Sequence, residues 1–250
     1  MKKMSFVIAC LVVMSFSMPV KKKTTLWLIG DSTMSVKDVK AYPETGWGMP
    51  FVYFWDSTII VDNRAKNGRS TRSFMEEGLW KPVMEQMQEG DYVFIQFGHN
   101  DEVPTKKTYT KEDEFKSLLK KYIADTRSKR ANPILLTPVA RRKFDSTGHI
   151  QETHAVYAQI VRDVAKEENV PMIDLAEKAK TLYQQMGRDV SKYLFNYLLP
   201  GEHPNYPDGK EDDTHFSELG ARRIAEIVLA EIKNLKLELA DRAKKPAIKK

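Results

Sequence analysis

An apolar run at residues 24–29 stops at Gly30-Asp31-Ser32. A short apolar run of this kind predicts a buried strand of a parallel sheet. In such a sheet, ligands bind outside the carboxyl ends of the strands, so Ser32 would lie where ligands collect. A serine hydroxyl is a weak nucleophile and needs a base, which itself needs an orienting group. For this stretch alone, a cap on the following helix is the favoured role of Ser32, so the rest of the chain has to supply the evidence for chemistry.

Asp212 and His215 are the candidate partners of Ser32, and they lie three residues apart before an apolar helical pattern. In a turn or a helix start, this spacing lets both side chains point the same way. The carboxylate can then hold one ring nitrogen and leave the other free as a general base. Asp213 is the alternative orienter, although we expect it to face solvent or to cap the helix. The alternative for His215 is a surface histidine at a helix start.

Two further strand ends carry candidate oxyanion donors. Gly68 follows the strand pattern that ends near Asp62, and Asn100 follows the pattern that ends near Gln96. The backbone N–H groups of Ser32 and Gly68, with the side-chain amide of Asn100, would stabilise a tetrahedral intermediate. The alternatives are a turn glycine and a turn-capping asparagine.

Taken in chain order, the segments around Ser32, Gly68, Asn100 and His215 resemble the SGNH family of GDSL-type hydrolases. Gly46-Trp47-Gly48, Gly98-His99-Asn100-Asp101 and Thr214-His215-Phe216-Ser217-Glu218 are similar to the rhamnogalacturonan acetylesterase branch of that family. The resemblance extends over residues 24–235. It implies a flavodoxin-like three-layer sandwich and a serine esterase that removes O-acetyl groups from rhamnogalacturonan, a pectin backbone. It also favours Asp212 over Asp213 as the triad acid. The chain has no G-x-S-x-G motif, which separates it from the α/β-hydrolase fold.

Strand and helix patterns alternate along the chain. The predicted strands are residues 24–29, 58–62, 92–96, 133–137 and 171–174. The predicted helices are residues 46–55, 70–87, 115–130, 154–168, 175–188 and 216–239. This alternation is typical of an α/β fold, here a doubly wound, five-stranded parallel sheet with helices on both faces. We expect one hydrolase domain over residues 21–239, followed by a basic tail at residues 240–250.

Residues 1–20 begin with Lys2 and Lys3 and continue with an apolar core, which is typical of a secretory signal peptide. The apolar stretch is too short for a confident membrane span. Cys10, the only cysteine, lies within this segment; a lipoprotein box there is the less favoured alternative, because the apolar core before it is short. We therefore expect a secreted or periplasmic protein whose mature chain has no disulfide and no integral membrane segment.

The chain is basic, with a formal net charge of +6, which becomes +4 when Lys2 and Lys3 are removed. A basic protein suits an anionic partner, and the tail accounts for most of the excess, so we do not expect nucleic acid. We expect an acetylated anionic polysaccharide or oligosaccharide. The candidate substrate-binding residues near strand ends are Arg69, Arg72, His99, Arg141 and Arg142. An arginine fork matches the carboxylate of galacturonate. The alternative is that these arginines are solvated or pair with Asp62, Asp145 or Glu76.

Neither a metal nor an organic cofactor is expected. The chain lacks an H-E-x-x-H pair, a Walker loop and a G-x-G-x-x-G motif, and its mature part lacks cysteine. Two other functions stay open at this stage. One is an esterase or lipase for other acyl esters, such as acetylxylan or lysophospholipid. The other is a non-catalytic carbohydrate-binding protein, which the presence of Ser32, Asp212 and His215 disfavours.

Overall fold

The computed structural model describes residues 23–245. The predicted signal peptide at residues 1–20 lies outside the described residues, as do the last five positions of the chain. Across residues 23–245, no helix is both long enough and apolar enough to cross a membrane.

Five parallel strands form one sheet in the order β2-β1-β3-β4-β5. The strands are β1 (Thr24–Gly30), β2 (Ile59–Asn63), β3 (Tyr92–Gln96), β4 (Asn132–Leu136) and β5 (Met172–Ile173). The helices are α1 (Gly48–Phe51), α2 (Thr71–Glu76), α3 (Trp80–Gln86), α4 (Glu112–Ser128), α5 (Ala155–Glu167), α6 (Leu175–Val190) and α7 (Glu218–Asn234). This strand order is that of the flavodoxin-like doubly wound fold, so the predicted fold class is confirmed.

Both faces of the sheet are buried, which explains why β1 reads as a continuous apolar run. Successive strand residues point to opposite faces. Leu26 and Leu28 belong to a core cluster that includes residues of α1, α6 and α7. Trp27 and Ile29 belong to a second cluster that includes residues of α3, α4 and α5. Helices therefore cover the sheet on both sides, as in a three-layer sandwich.

Several predicted boundaries differ from the structure. The helix predicted over residues 70–87 is divided into α2 and α3, with Gly78 at a positive φ of 71° between them. The helix predicted over residues 46–55 is only α1 followed by one 3-10 turn. At the carboxyl end, α7 stops at Asn234 and a separate 3-10 turn spans Glu238–Arg242. The boundary drawn at residue 239 falls inside that turn.

The start of the predicted basic tail lies against the domain. Ala243 forms an antiparallel bridge with Trp55. The Lys244 N–H donates to the Phe54 carbonyl at 2.8 Å, and the Arg242 guanidinium approaches the Thr24 hydroxyl at 3.3 Å. Backbone pairing thus continues beyond the last helix, through a segment whose composition alone suggested a solvated end.

Residues 31–35 after β1, the nucleophile turn, are clamped by the Gly46-Trp47-Gly48 segment. The Trp47 N–H donates to the Thr33 carbonyl at 2.9 Å, and the Gly48 N–H donates to the Met34 carbonyl at 3.2 Å. A Cβ at Gly46 would overlap the Ser35 carbonyl oxygen. Only glycine permits this close approach of two backbones.

Gly46→Ala should therefore destabilise the protein by about 3 kcal/mol, because the added methyl group forces two backbone segments apart. Gly78→Ala is the matched control: its Cβ would meet open space, so only the backbone strain of about 1–2 kcal/mol remains. Urea unfolding followed by circular dichroism measures both free energies. Equal losses in the two variants would contradict the packing argument.

Candidate active site

Ser32, His215 and Asp212 form one chain of hydrogen bonds. Ser32 Oγ lies 2.9 Å from His215 Nε2, and His215 Nδ1 lies 2.9 Å from Asp212 Oδ2. A carboxylate can only accept, so Nδ1 carries the proton and Nε2 is the free acceptor for the Ser32 hydroxyl. The arrangement has the nucleophile, base and orienter in the order that acyl transfer requires.

The position of Ser32 is set by the nucleophile turn. Asp31 accepts from the Thr33 N–H at 2.9 Å and from the Thr33 hydroxyl at 2.8 Å. Gln96, at the end of β3, donates to Thr33 Oγ1 at 2.7 Å and accepts from Trp47 Nε1 at 2.7 Å. Asp31 is buried, and this burial raises the pKa of its carboxyl. The turn is thus held from both sides by buried polar groups.

Asp212 and His215 occupy a tight turn just before α7. Asp212 Oδ1 accepts from the N–H groups of Thr214 at 2.8 Å and His215 at 3.0 Å, while Oδ2 holds the imidazole. Burial opposes ionisation of this carboxyl, but its hydrogen bonds to His215 and Thr214 hold the pKa of Asp212 well below the usual range. Ser217 caps α7 by accepting from the Gly220 N–H.

Asp213 is not the partner of His215. Its carboxylate accepts from Arg142 Nη1 at 2.5 Å and from the Tyr197 hydroxyl at 2.7 Å. The expectation that Asp213 faces solvent or caps the helix is therefore wrong in part: the side chain is partly exposed, but it is paired with a buried guanidinium. The two neighbouring aspartates therefore have different partners: Asp212 binds His215, and Asp213 binds Arg142 and Tyr197.

Ser32, Gly68 and Asn100 line one cavity of about 400 Å³ together with His215. Gly68 has a positive φ of 76°, in the loop of residues 64–70 that follows β2. We call this segment the oxyanion loop. Asn100 Nδ2 donates to the Arg69 carbonyl of this loop at 3.0 Å, and its Oδ1 accepts from Lys106 Nζ at 2.9 Å. These contacts fix the amide orientation and leave one Nδ2 hydrogen for a ligand.

The Asp101 side chain fixes the conformation and position of the segment Gly98-His99-Asn100-Asp101. Its carboxyl accepts from the Thr71 N–H at 2.8 Å, the Thr71 hydroxyl at 2.6 Å and the Gly98 N–H at 3.1 Å. Burial raises the pKa of Asp101 to about 7, although the bonds from Thr71 act in the opposite direction. The segment is thereby tied to the start of α2.

The four candidate arginines are not equivalent. Arg72 pairs with Glu76, as the alternative interpretation expected, and Arg69 forms a forked ion pair with Glu77, a partner that the sequence did not suggest. Neither side chain lines the cavity around Ser32. Arg141 does line it, and its Nη1 donates to Glu102 at 2.9 Å.

Arg142 is a structural residue, so its assignment to substrate binding is corrected. The side chain is buried and donates to Ser191 Oγ at 3.0 Å, to Asp213 and to the Arg188 carbonyl. Consecutive residues in extended backbone point in opposite directions, so Arg141 and Arg142 could not both face the cavity. The adjacency of two arginines in the sequence carried no information on this point.

His99 lines the cavity but is not a cation for a substrate carboxylate. It is buried, its Nε2 donates to the Val139 carbonyl at 2.9 Å, and its ring lies 4.2 Å from that of His154. Burial, with smaller contributions from His154 and Arg141, lowers the pKa of His99 well below its ordinary value. His99 thus lies where the sequence placed a substrate-binding candidate, and it contributes a neutral imidazole to the cavity wall.

Three further residues contribute to the site without having been expected. Lys106 and Glu44 line the cavity, and Lys37 lies buried behind Ser32. Each comes from a loop that packs against the site only in the folded chain. A lysine in a polar loop has no distinguishing sequence pattern, so only the charge of these residues could have drawn attention to them.

Glu44, Asp212 and His215 are the one group of possible metal ligands found among residues 23–245, with atoms within 4.8 Å of one another. Their potential ligand atoms are engaged with protein partners. Glu44 pairs with Lys37 at 2.7 Å, and Asp212 pairs with His215. Charge pairing within the protein thus explains why these three side chains lie close together.

Residues 28–223 match the family described as GDSL-like lipase/acylhydrolase. The chain is 45% identical to the rhamnogalacturonan acetylesterase RhgT of Bacillus subtilis, over 88% of this chain and 94% of the relative. It is 35% identical to the probable rhamnogalacturonan acetylesterase YesY of the same organism, over 86% of this chain and 95% of the relative.

Solved structures agree with this relationship. The crystal structure of YxiM from Bacillus subtilis superimposes with a TM-score of 0.74 and 27% identity, covering 88% of this chain and 58% of that protein. The acetylxylan esterase Axe2 from Geobacillus stearothermophilus shares the fold, with a TM-score of 0.57 and 21% identity over 85% of this chain and 96% of that one. The chain therefore belongs to the GDSL-like lipase/acylhydrolase family of carboxylic ester hydrolases, within its rhamnogalacturonan acetylesterase-like branch.

Proposed function

We propose that the protein is a serine acetylesterase that removes O-acetyl groups from an acidic pectic polysaccharide outside the cytoplasm. The observation that carries this proposal is the hydrogen-bonded chain of Ser32, His215 and Asp212, which opens into a cavity with two cationic side chains. The rhamnogalacturonan acetylesterases among the relatives support the substrate class.

In the first half of the reaction, His215 Nε2 takes the proton from Ser32 Oγ as the oxygen attacks the acetyl carbonyl carbon. The carbonyl oxygen becomes an oxyanion, which accepts hydrogen bonds from the Ser32 and Gly68 N–H groups and from Asn100 Nδ2. Asp212 stabilises the imidazolium that forms. The imidazolium then protonates the sugar oxygen, and the sugar leaves from an acetylated Ser32.

In the second half, water enters the cavity next to the acetylated serine. His215 Nε2 removes one proton from this water as its oxygen attacks the acetyl carbon. The same donors hold the second oxyanion. When the tetrahedral intermediate collapses, Ser32 Oγ takes the proton back from His215 and acetate is released, so the enzyme returns to its starting state.

The preference for an acidic polysaccharide rests on the charges at the cavity. Lys106 and Arg141 line it, together with one carboxylate, that of Glu44. The Glu44 carboxylate is paired with the buried Lys37, so its charge is balanced locally. Arg141 uses Nη1 for Glu102, and its remaining N–H groups, together with Lys106, are therefore the groups that would meet a galacturonate carboxylate beside the acetylated sugar. Secretion is supported by the signal-like pattern of residues 1–20.

The purified protein should release acetate from acetylated rhamnogalacturonan faster than from acetylated xylan. Ser32→Ala and His215→Ala should each lower kcat by about 10⁴-fold or more, since removing one member disables the unit. Acetate release and thermal unfolding should be measured on all three proteins. A folded Ser32→Ala enzyme with near-normal activity would exclude Ser32 as the nucleophile, whereas faster release from xylan would exclude the pectic preference.

Asp212→Asn and Asp213→Asn should affect different properties. The first variant should lose about 10³-fold or more in kcat, because the imidazole loses the acceptor that sets its tautomer. The second should keep its kcat and lose about 1–3 kcal/mol of unfolding free energy, because the buried Arg142 loses its charged partner. Steady-state kinetics and urea unfolding separate the two effects, and a reversed pattern would move the triad acid to Asp213.

Arg141→Gln should raise KM for acetylated rhamnogalacturonan about tenfold, because a charged hydrogen bond to the substrate carboxylate is lost. Added salt should raise the wild-type KM in the same direction. KM for the neutral ester 4-nitrophenyl acetate should not change. Arg223→Gln, on the exposed face of α7, is the control and should behave as wild type on both esters. Equal losses on both esters would assign Arg141 a structural role.

A further inference from the structure

Lys37 is a lysine buried directly behind the proposed nucleophile. Its side chain has no exposed surface. Nζ donates to the Ser32 carbonyl oxygen at 2.5 Å, to Asn67 Oδ1 at 3.0 Å and to Glu44 Oε1 at 2.7 Å. An ammonium group has three N–H donors and no acceptor, so each donor has one partner. A neutral amine has only two N–H donors, and therefore these three contacts require the charged form.

The three acceptors belong to three different segments of the site. Ser32 lies in the nucleophile turn, Asn67 lies in the oxyanion loop next to Gly68, and Glu44 lies in the segment that leads to Gly46. Asn67 Oδ1 also accepts from Ser35 Oγ at 2.5 Å, which gives the nucleophile turn a second bond to the same oxygen. Backbone pairing joins the two segments only further back, where the Lys66 N–H donates to the Gly30 carbonyl at 3.0 Å.

Burial of an isolated ammonium group is costly, and replacing a buried ion pair by apolar side chains is often neutral or stabilising. Here burial lowers the pKa of Lys37, while Glu44 and the more distant Asp31 and Asp212 counteract this effect. The three acceptors around Nζ hold the charged form at this buried site. Its contacts are with the segments that carry Ser32 and Gly68.

We infer that Lys37 is a positioning residue for ester hydrolysis: it fixes the Ser32 carbonyl relative to Asn67 and so holds Ser32 at its working distance from the Gly68 N–H. The inference rests on the proposed function of Ser32. Lys37 touches neither substrate nor reacting atoms and acts through the backbone of the two segments. A displacement of about 1 Å between nucleophile and oxyanion donors is enough to slow such a reaction by about 10²-fold.

Lys37→Met, which keeps the length of the side chain and removes the charge, should lower kcat for 4-nitrophenyl acetate about 100-fold at unchanged KM. A loss confined to kcat marks a defect in the transition state rather than in binding. Lys180→Met is the matched control, because Lys180 is also largely buried and paired with two carboxylates, Glu152 and Glu177, but lies outside the cavity. It should keep the wild-type kcat.

Chemical rescue tests whether the ammonium group itself is needed. In a Cys10→Ser background, the Lys37→Cys variant carries the only thiol of the chain. Alkylation with 2-bromoethylamine in denaturant, followed by refolding, replaces the lysine by a thioether analogue with the ammonium at nearly the same place. The modified Lys37→Cys protein should recover most of the lost kcat. The Cys10→Ser protein with Lys37 intact, treated in the same way, should keep its kcat unchanged.

Asn67→Ala keeps the proposal testable if Lys37→Met does not fold. It removes the acceptor in the oxyanion loop and should lower kcat at unchanged KM, and the double variant should lose no more than Lys37→Met alone. Wild-type kcat in a folded Lys37→Met or Asn67→Ala variant would overturn the inference, as would failure of aminoethylation to restore kcat. If Ser32→Ala is inactive while Lys37→Met is fully active, only this inference fails; if Ser32→Ala is active, the proposed function fails.

Discussion

Burial of the parallel sheet on both faces is the constraint on which the rest of the structure depends. Because strands run the same way, every connection must cross a face of the sheet, and the helices that make these crossings cover it. The carboxyl ends of β1, β2 and β3 then lie side by side at one edge. Ser32, Gly68 and Asn100, which are far apart in the sequence, follow these three ends and line one cavity.

The buried polar side chains near the carboxyl ends of the strands hold the loops of the site in place rather than bind ligands. Gln96 joins the nucleophile turn to Trp47, Asp101 joins the segment of residues 98–101 to α2, and Lys37 joins the nucleophile turn to the oxyanion loop. A loop cannot be positioned by apolar packing alone, because its backbone groups need partners. Buried side chains with several donors or acceptors supply these partners for the loops around Ser32.

Much of the site could be predicted from local pattern. A serine after a strand, a histidine with two nearby aspartates before a helix, and a glycine or asparagine at two further strand ends pointed to Ser32, His215, Gly68 and Asn100. The family resemblance selected Asp212 over Asp213, and the fold brings all five residues together. The arginines could not be sorted in this way. Arg141 lines the cavity and Arg142 is buried against Asp213, and the difference is the direction of two neighbouring side chains.

By itself, the sequence determined the alternation of strands and helices, the class of fold and the residue types available for acyl transfer, because these depend on periodicity and on short motifs. The tertiary structure alone decided which charges are paired. His99 is neutral because it is buried, Lys37 is enclosed by three acceptors, and residues 240–245 lie against the domain because Ala243 meets Trp55. Desolvation and charge pairing depend on neighbours from distant parts of the chain, and a linear pattern carries no record of them.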